Sequence, residues 1–366
     1  MNGQQASVAE SGYCVDVLEQ IRNVTIVQHR QRDGTVWGTS KRWLVKRTDR
    51  DGDWQHVARF PFVWPRDLFE WSRPTARAMR ADKANVYVNR EGAVLGVRGE
   101  MAYAVSADGH LKRLVGIQGD CVLHRGICED RQGWIYVGEY FMNPERGPVR
   151  LWRFAPNLSR VEIAHEFPGG SIRHIHGIYR DPCDRDALWV TAGDYEGECY
   201  IFRTDDRFAS LARFGDGTQT WRAVGLFFTP QHVCWLTDSH LEQNYACRMS
   251  RSEGRLERGE RIDCSGWYGT TTTDGLHVVF TTVEKGPAIH RNQSSIFVSE
   301  DAFHWREATC FEKDFWRPFR VFKYGVISCP SGPVSSSDFY ISGEGLKGLD
   351  GTSLRLRIRK RNASAE

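Results

Sequence analysis

Four stretches of this chain share one pattern: Val122–Gly138, Ile172–Gly193, Trp221–Asp238 and Trp267–Glu284. Each opens on a short apolar run with His, Arg or Tyr near its start. Each then passes through a turn into a second apolar run and ends on or beside a carboxylate. The opening residues His124, His174, Arg222 and Tyr268 are spaced by 50, 48 and 46 residues. A repeat of this period, built of short strands and turns, predicts an all-β fold, the β-propeller. Such a ring gathers equivalent positions of all its blades around one axis, so residues distant in sequence meet at a common mouth.

The 366 residues alone suggest two or three domains. A closed ring holds that length as a single domain, 1–366, because each blade packs only on its neighbours. Apolar residues are 40% of the chain, enough for a large core. We expect seven four-stranded blades, at about 15–60, 73–117, 121–167, 172–214, 220–262, 265–310 and 317–359; the ends leave six or eight open. Expected strands of the first blade are Val24–Gln28, Thr35–Thr39, Arg42–Arg47 and Gln55–Phe60. Val15–Arg22 is the best helix candidate, and equally a strand. Phe62–Arg73 reads as a loop laid over the ring.

The net charge of +3 excludes nucleic-acid binding driven by bulk charge. The basic run Arg355, Arg357, Arg359, Lys360 and Arg361 reads as a strand with one solvated face plus a tail. No stretch approaches the length of a membrane span, so no membrane partner is expected. Met1–Gly12 is polar and carries no export signal, so a cytoplasmic location is expected. The ten cysteines form no C-x-x-C pair and read as thiols, with Cys128, Cys234 and Cys329 inside apolar strands.

A polar turn containing Asp recurs late in the blades: Arg47–Trp54, Ser106–Gly109, Arg203–Asp206 and Ser299–Trp305. An Asp or Ser side chain there satisfies backbone N–H groups of its own hairpin. These turns resemble the Asp-boxes, or BNR repeats, of the sialidase-like propellers, in degenerate form: only Asp49–Trp54 keeps the Asp-to-Trp spacing. The resemblance implies structural turns on the face away from a ligand site. It also implies an arginine triad on a carboxylate and a tyrosine assisted by a glutamate. Arg125, Arg222 and Arg317 or Arg320 stand for the triad, and Tyr268 with Glu284 for the pair. The Arg-Ile-Pro signature of the family is absent.

In an antiparallel blade, the start of the inner strand and the end of the second strand share one face. One mouth should therefore collect His124, Arg125, His174, His176, Arg222, Tyr268, Arg317 and Arg320 with Glu139, Tyr140, Asp194, Asp238, His240 and Glu284. The expected chemistry is glycoside hydrolysis on an anionic glycan by two mouth carboxylates, with Glu139 and Asp238 the first choice. Tyr268, Glu284 and His176 are further catalytic candidates. The remaining residues would bind substrate, with arginine forks on its acidic group. One alternative is a lyase that eliminates beside a uronate with His176 or Tyr268 as base. Another is a non-catalytic propeller that binds glycan or protein during polysaccharide assembly. No cofactor is required, although His124, His174 and His176 could hold a divalent metal. The expected partner is an acidic carbohydrate.

Overall fold

In the computed structural model, residues 12–361 are described apart from 51, 185, 317 and 323. They form seven antiparallel sheets of four strands each, arranged as a β-propeller. The innermost strands are Ile26–Arg30, Asn85–Val88, Ile127–Glu129, Ile175–Arg180, Phe227–Phe228, Ser265–Thr271 and Val326–Ser328. Among the described residues no helix is long and apolar enough to cross a membrane.

The burial pattern follows the sequence. Second strands such as Leu188–Ala192 and His277–Thr282 are buried at every position, because adjacent blades cover both of their faces. Third strands are less fully covered, with Arg150 and Arg153 of Val149–Phe154 only partly buried around a bulge at Leu151/Trp152. Outer strands such as Leu256–Ile262 carry exposed charge, which protects an open sheet edge from unwanted pairing. Fully buried Trp235, Tyr136 and Phe280 fill the layers between blades.

The ring closes through its ends. Tyr13–Ile21 is a strand, and it lies outside the first blade. It pairs antiparallel with Ser353–Lys360 as the outer strand of the seventh, from Tyr13↔Lys360 to Ile21↔Ser353. The helical alternative for Val15–Arg22 is thereby overturned: the segment has a partner eight residues long waiting at the other terminus. The first blade begins instead at Ile26. In the basic terminal strand, Arg355 is buried on Asp338 at 2.7 Å, while Arg357 and Arg359 face solvent.

The insert after the first blade is more than a loop. It contains a 3-10 turn, Arg66–Phe69, and a helix, Arg73–Ala78, capped by the Ser72 hydroxyl with Pro74 in its first turn. Asp67 fastens it, buried and gripped by both Nη groups of Arg98 at 3.0 and 2.6 Å. Arg77 ties it, through Asp314, to the connection between the sixth and seventh blades.

Hairpin turns on the opposite face are held by carboxylates. Asp181 accepts from the Cys183 N–H at 2.9 Å and the Trp189 Nε1–H at 2.9 Å, and it pairs with Arg251 at 2.6 Å. Asp130 accepts from Gln132 N, Trp134 N and the Tyr136 hydroxyl. Among the Asp-containing turns, Asp301 accepts from the Phe303 and His304 amides, and Thr204 with Asp206 orders the turn at Ser210.

Candidate functional site

The mouth of the ring opens into a cleft with a volume of about 120 Å³. Tyr140, Trp267, Tyr268 and Tyr324 supply aromatic walls, and Arg73, Arg80 and Lys83 supply cations. Each cation already has an acidic partner. Arg73 meets Asp350 at 3.0 Å, Arg80 meets Asp120 at 3.2 Å, and Lys83 meets Glu344.

Beside this cleft the second strands of three consecutive blades deliver Asp194, Asp238 and Glu284 around one guanidinium, that of Arg222. The chain must turn sharply after Leu188–Ala192 to do so. Gly193 makes that turn at φ +100, and a Cβ there would meet the Glu198 carbonyl oxygen at 2.0 Å. Glu198 then accepts from the Asp194 and Tyr195 amides at 3.2 and 3.0 Å, fixing the loop.

Asp194 accepts from Arg173 Nη1 at 2.7 Å and pairs with Arg222 Nη2 at 3.1 Å. Burial alone would raise its proton affinity. Arg222 and the two nearby histidines overcome that and hold the carboxyl well below the usual range. Asp238 behaves in the opposite way. Arg222 Nη2 approaches its Oδ2 at 3.3 Å, yet neither carboxylate oxygen has an aligned hydrogen bond in a site 1% exposed. Burial therefore pushes Asp238 well above the ordinary value against the pull of Arg222, with Glu284 adding repulsion. Glu284 is pushed up to about 7, again by burial against Arg222, and its neighbour is His240 Nδ1 at 3.8 Å. Neighbouring carboxyls are thus driven toward opposite protonation states.

Tyr140 and Tyr324 link cluster and cleft. Both line the cleft, and the phenols of both are raised by burial first and then by cluster carboxylates, that of Tyr324 to about 12. The Tyr140 ring also packs on His174, with centroids 4.2 Å apart.

His174 and His176 meet Nε2 to Nε2 at 3.1 Å. His176 Nε2 stands 3.2 Å from Asp194 Oδ1, and His174 Nε2 stands 3.3 Å from Asp194 Oδ2. These three residues could jointly hold a metal ion. His124 lies elsewhere, edge-on to Tyr268 at 5.1 Å, so the structure gathers His174 and His176 with Asp194 and leaves His124 apart. Burial, then Lys83 and Arg125, lowers the His124 imidazole to about 3.

Other expected residues sit differently. Glu139 is fully buried and accepts from Gln118 N at 3.1 Å, Arg150 N at 2.9 Å and Trp152 Nε1 at 3.0 Å. All of its reach is spent inside the fold. Arg125 donates toward Cys329 Sγ at 3.4 Å, and Arg222 is taken up by carboxylates, so these two arginines do not converge on an open site. Arg320 is exposed on the short helix Phe319–Phe322, and Arg317 lies outside the described residues. Tyr268 packs against His124 and Trp267, while Glu284 turns to His240. The cleft cations were missed because Phe62–Arg73 reads as a loop and because Arg80 and Lys83 fall inside the expected second blade, away from the repeat that marked the mouth. Ser72 before Pro74, with Arg at 73, 77 and 80, is the helical signal that would have found them.

No family model matches this sequence, and no curated protein sequence does. Solved structures are similar in fold. The WD40 repeats of RRP9 align with a TM-score of 0.57 at 11% identity, covering 98% of this chain and 100% of that one. YCF48 bound to D1 peptide aligns with a TM-score of 0.55 at 10% identity, covering 100% of both. A chain of the mitotic checkpoint complex aligns with a TM-score of 0.54 at 10% identity, covering 99% and 98%. At such identities the likeness is one of fold, a seven-bladed propeller. These neighbours do not single out the sialidase-like superfamily.

Proposed function

We propose that the mouth binds a saccharide bearing an acidic group and that the protein hydrolyses its glycosidic bond, with Glu284 as the proton donor. The observation that supports this most is a carboxyl with a pKa of about 7 beside an aromatic, cation-bearing cleft. Tyr140, Trp267 and Tyr324 offer flat apolar faces to a sugar ring, and Arg80, about a third exposed and bonded to Asp120 through Nε, offers its terminal nitrogens to a carboxylate. Glu284 gives its proton to the departing oxygen; once the aglycone has left, water adds to the glycosyl cation on the same face and gives its proton back to the Glu284 carboxylate. Asp238 acts as a positioning residue: it shares the dry site and keeps it hospitable to a protonated neighbour. Asp194 stays ionised and holds Arg222. The first-choice pair of Glu139 and Asp238 gives way here to Glu284, because Glu139 is fully buried on three donors and does not line the cleft. The Asp-bearing turns on the opposite face are consistent with a sialidase-like origin.

Incubation with uronate- or sialate-bearing oligosaccharides tests this. New reducing ends that disappear in Glu284→Gln support hydrolysis. A product absorbing in the ultraviolet would point instead to elimination. The non-catalytic reading is favoured by one fact: the side chains of Glu284 and Asp238 are only 7% and 1% exposed, while the open surface is aromatic and cationic. YCF48, of the same fold, is described as bound to a peptide. Measurable affinity for an acidic oligosaccharide or peptide with no product after long incubation would establish that reading.

A further inference from the structure

We propose that His174, His176 and Asp194 form a binding site for one divalent transition-metal ion, of the zinc, iron or manganese class. The inference starts from proton bookkeeping. His174 Nδ1 lies 2.8 Å from the Phe141 carbonyl oxygen, and His176 Nδ1 lies 3.1 Å from the Ala223 carbonyl oxygen. A carbonyl only accepts, so both Nδ1 atoms carry the hydrogen. In neutral rings both Nε2 atoms then present bare lone pairs. These lone pairs face each other at 3.1 Å and face the Asp194 oxygens at 3.2 and 3.3 Å.

Acceptors cannot crowd together in this way without a positive centre between them. A proton on one imidazole is the first option. A single N–H can point along only one of these contacts at a time and leaves the others as facing acceptors. A metal ion answers all three groups at once. Ligand atoms about 2.1 Å from one ion stand roughly 3.0 Å apart on an octahedral face and roughly 3.4 Å apart on a tetrahedral one. The His174–His176 separation of 3.1 Å falls within that interval, and each Nε2 has its own Asp194 oxygen at 3.2 or 3.3 Å, as a bridging carboxylate beside the ion would.

The surroundings have the form such a site needs. Both histidines are oriented through Nδ1 by backbone carbonyls, and the carboxylate is anchored on one oxygen by Arg173 and on the other by Arg222. Three protein ligands leave at least one coordination position for water or ligand, as in catalytic rather than structural sites. Bound metal would also keep Asp194 ionised. The site does not depend on the saccharide reading, because its test needs no substrate.

The full chain, stripped with EDTA and dialysed against Zn²⁺, should retain one equivalent per chain by elemental analysis after gel filtration. His124→Ala should retain it too, whereas His176→Ala and Asp194→Asn should lose at least nine-tenths. Loading with Co²⁺ in place of Zn²⁺ should give visible absorption from imidazole and carboxylate ligation, and Zn²⁺ should raise Tm by several degrees. The Co²⁺ and Tm measurements use the unmutated chain, so they decide the matter even if a variant fails to fold. Less than a tenth of an equivalent retained, equal retention in His176→Ala, or no Co²⁺ band would overturn the site and leave a charged imidazole as the centre between the acceptors.

Discussion

Buried carboxylates occur on both faces of this ring, and they are treated in opposite ways. On the hairpin face, Asp181 is 1% exposed and has a donor for each oxygen: two amides, an indole N–H and a guanidinium. At the mouth, Asp238 is equally buried and has no aligned donor at all. A satisfied carboxylate stabilises the fold as an anion. An unsatisfied one is costly as an anion, retains its proton, and is available for chemistry. Glu139 shows that position does not decide the matter: it ends a second strand like Asp238, yet three donors place it with the first group.

The largest expected effect comes from the satisfied group. Asp181→Ala strands the half-buried Arg251 guanidinium and three other donors, so it should cost about 3 kcal/mol of stability, seen as a large drop in the urea midpoint. A loss below 1 kcal/mol would erase the contrast. Glu139→Ala should follow at about 2–4 kcal/mol, since three donors lose their acceptor.

Glu284→Gln should act in the other direction, and with a pH signature. The folded-state pKa is raised from an ordinary 4.5 to about 7, so the native state binds the extra proton between those values. Stability attributable to this group is intact below pH 4.5 and falls as pH rises through 7. The variant should therefore match the parent in acid and exceed it above pH 7 by up to roughly 3 kcal/mol. Thermal melts at pH 4 and pH 8 check this, and a variant less stable at pH 8 breaks the comparison. Hydrolysis, if Glu284 is the proton donor, should decline above pH 7 in parallel.

The smallest effect is expected at Asp301. Its side chain is half exposed and its partners are local turn amides, so Asp301→Ala should cost about 1 kcal/mol or less. That measurement sharpens the comparison by separating burial from mere hydrogen bonding.

The sequence showed the fold where strand patterns are local. The blades containing Ile135–Gly138, Leu188–Ala192, His232–Leu236 and His277–Thr282 announce themselves by apolar runs ending near a carboxylate. Ring closure is different in kind. Tyr13–Ile21 finds its partner about 340 residues away at Ser353–Lys360, and no local periodicity encodes that pairing. The repeat phase likewise brought Arg222, Asp194, Asp238, Glu284, His174 and His176 to one place. It could not say which carboxylates would be satisfied. The donors of Glu139 come from Trp152 on the next strand and Gln118 before the blade, positions that phase alone does not relate. Arg125 follows His124 by one residue, and it turns toward Cys329 instead of the mouth.

Isotope-edited infrared titration of the carboxyl groups, comparing the parent with Glu284→Gln and Asp238→Asn, reaches the centre of this account most directly. A protonated carboxyl band should persist at pH 6, lose intensity with a midpoint near 7, and lack that component in Glu284→Gln. Complete ionisation of every carboxyl by pH 5.5 would contradict the contrast between the two faces and remove the proton donor with it.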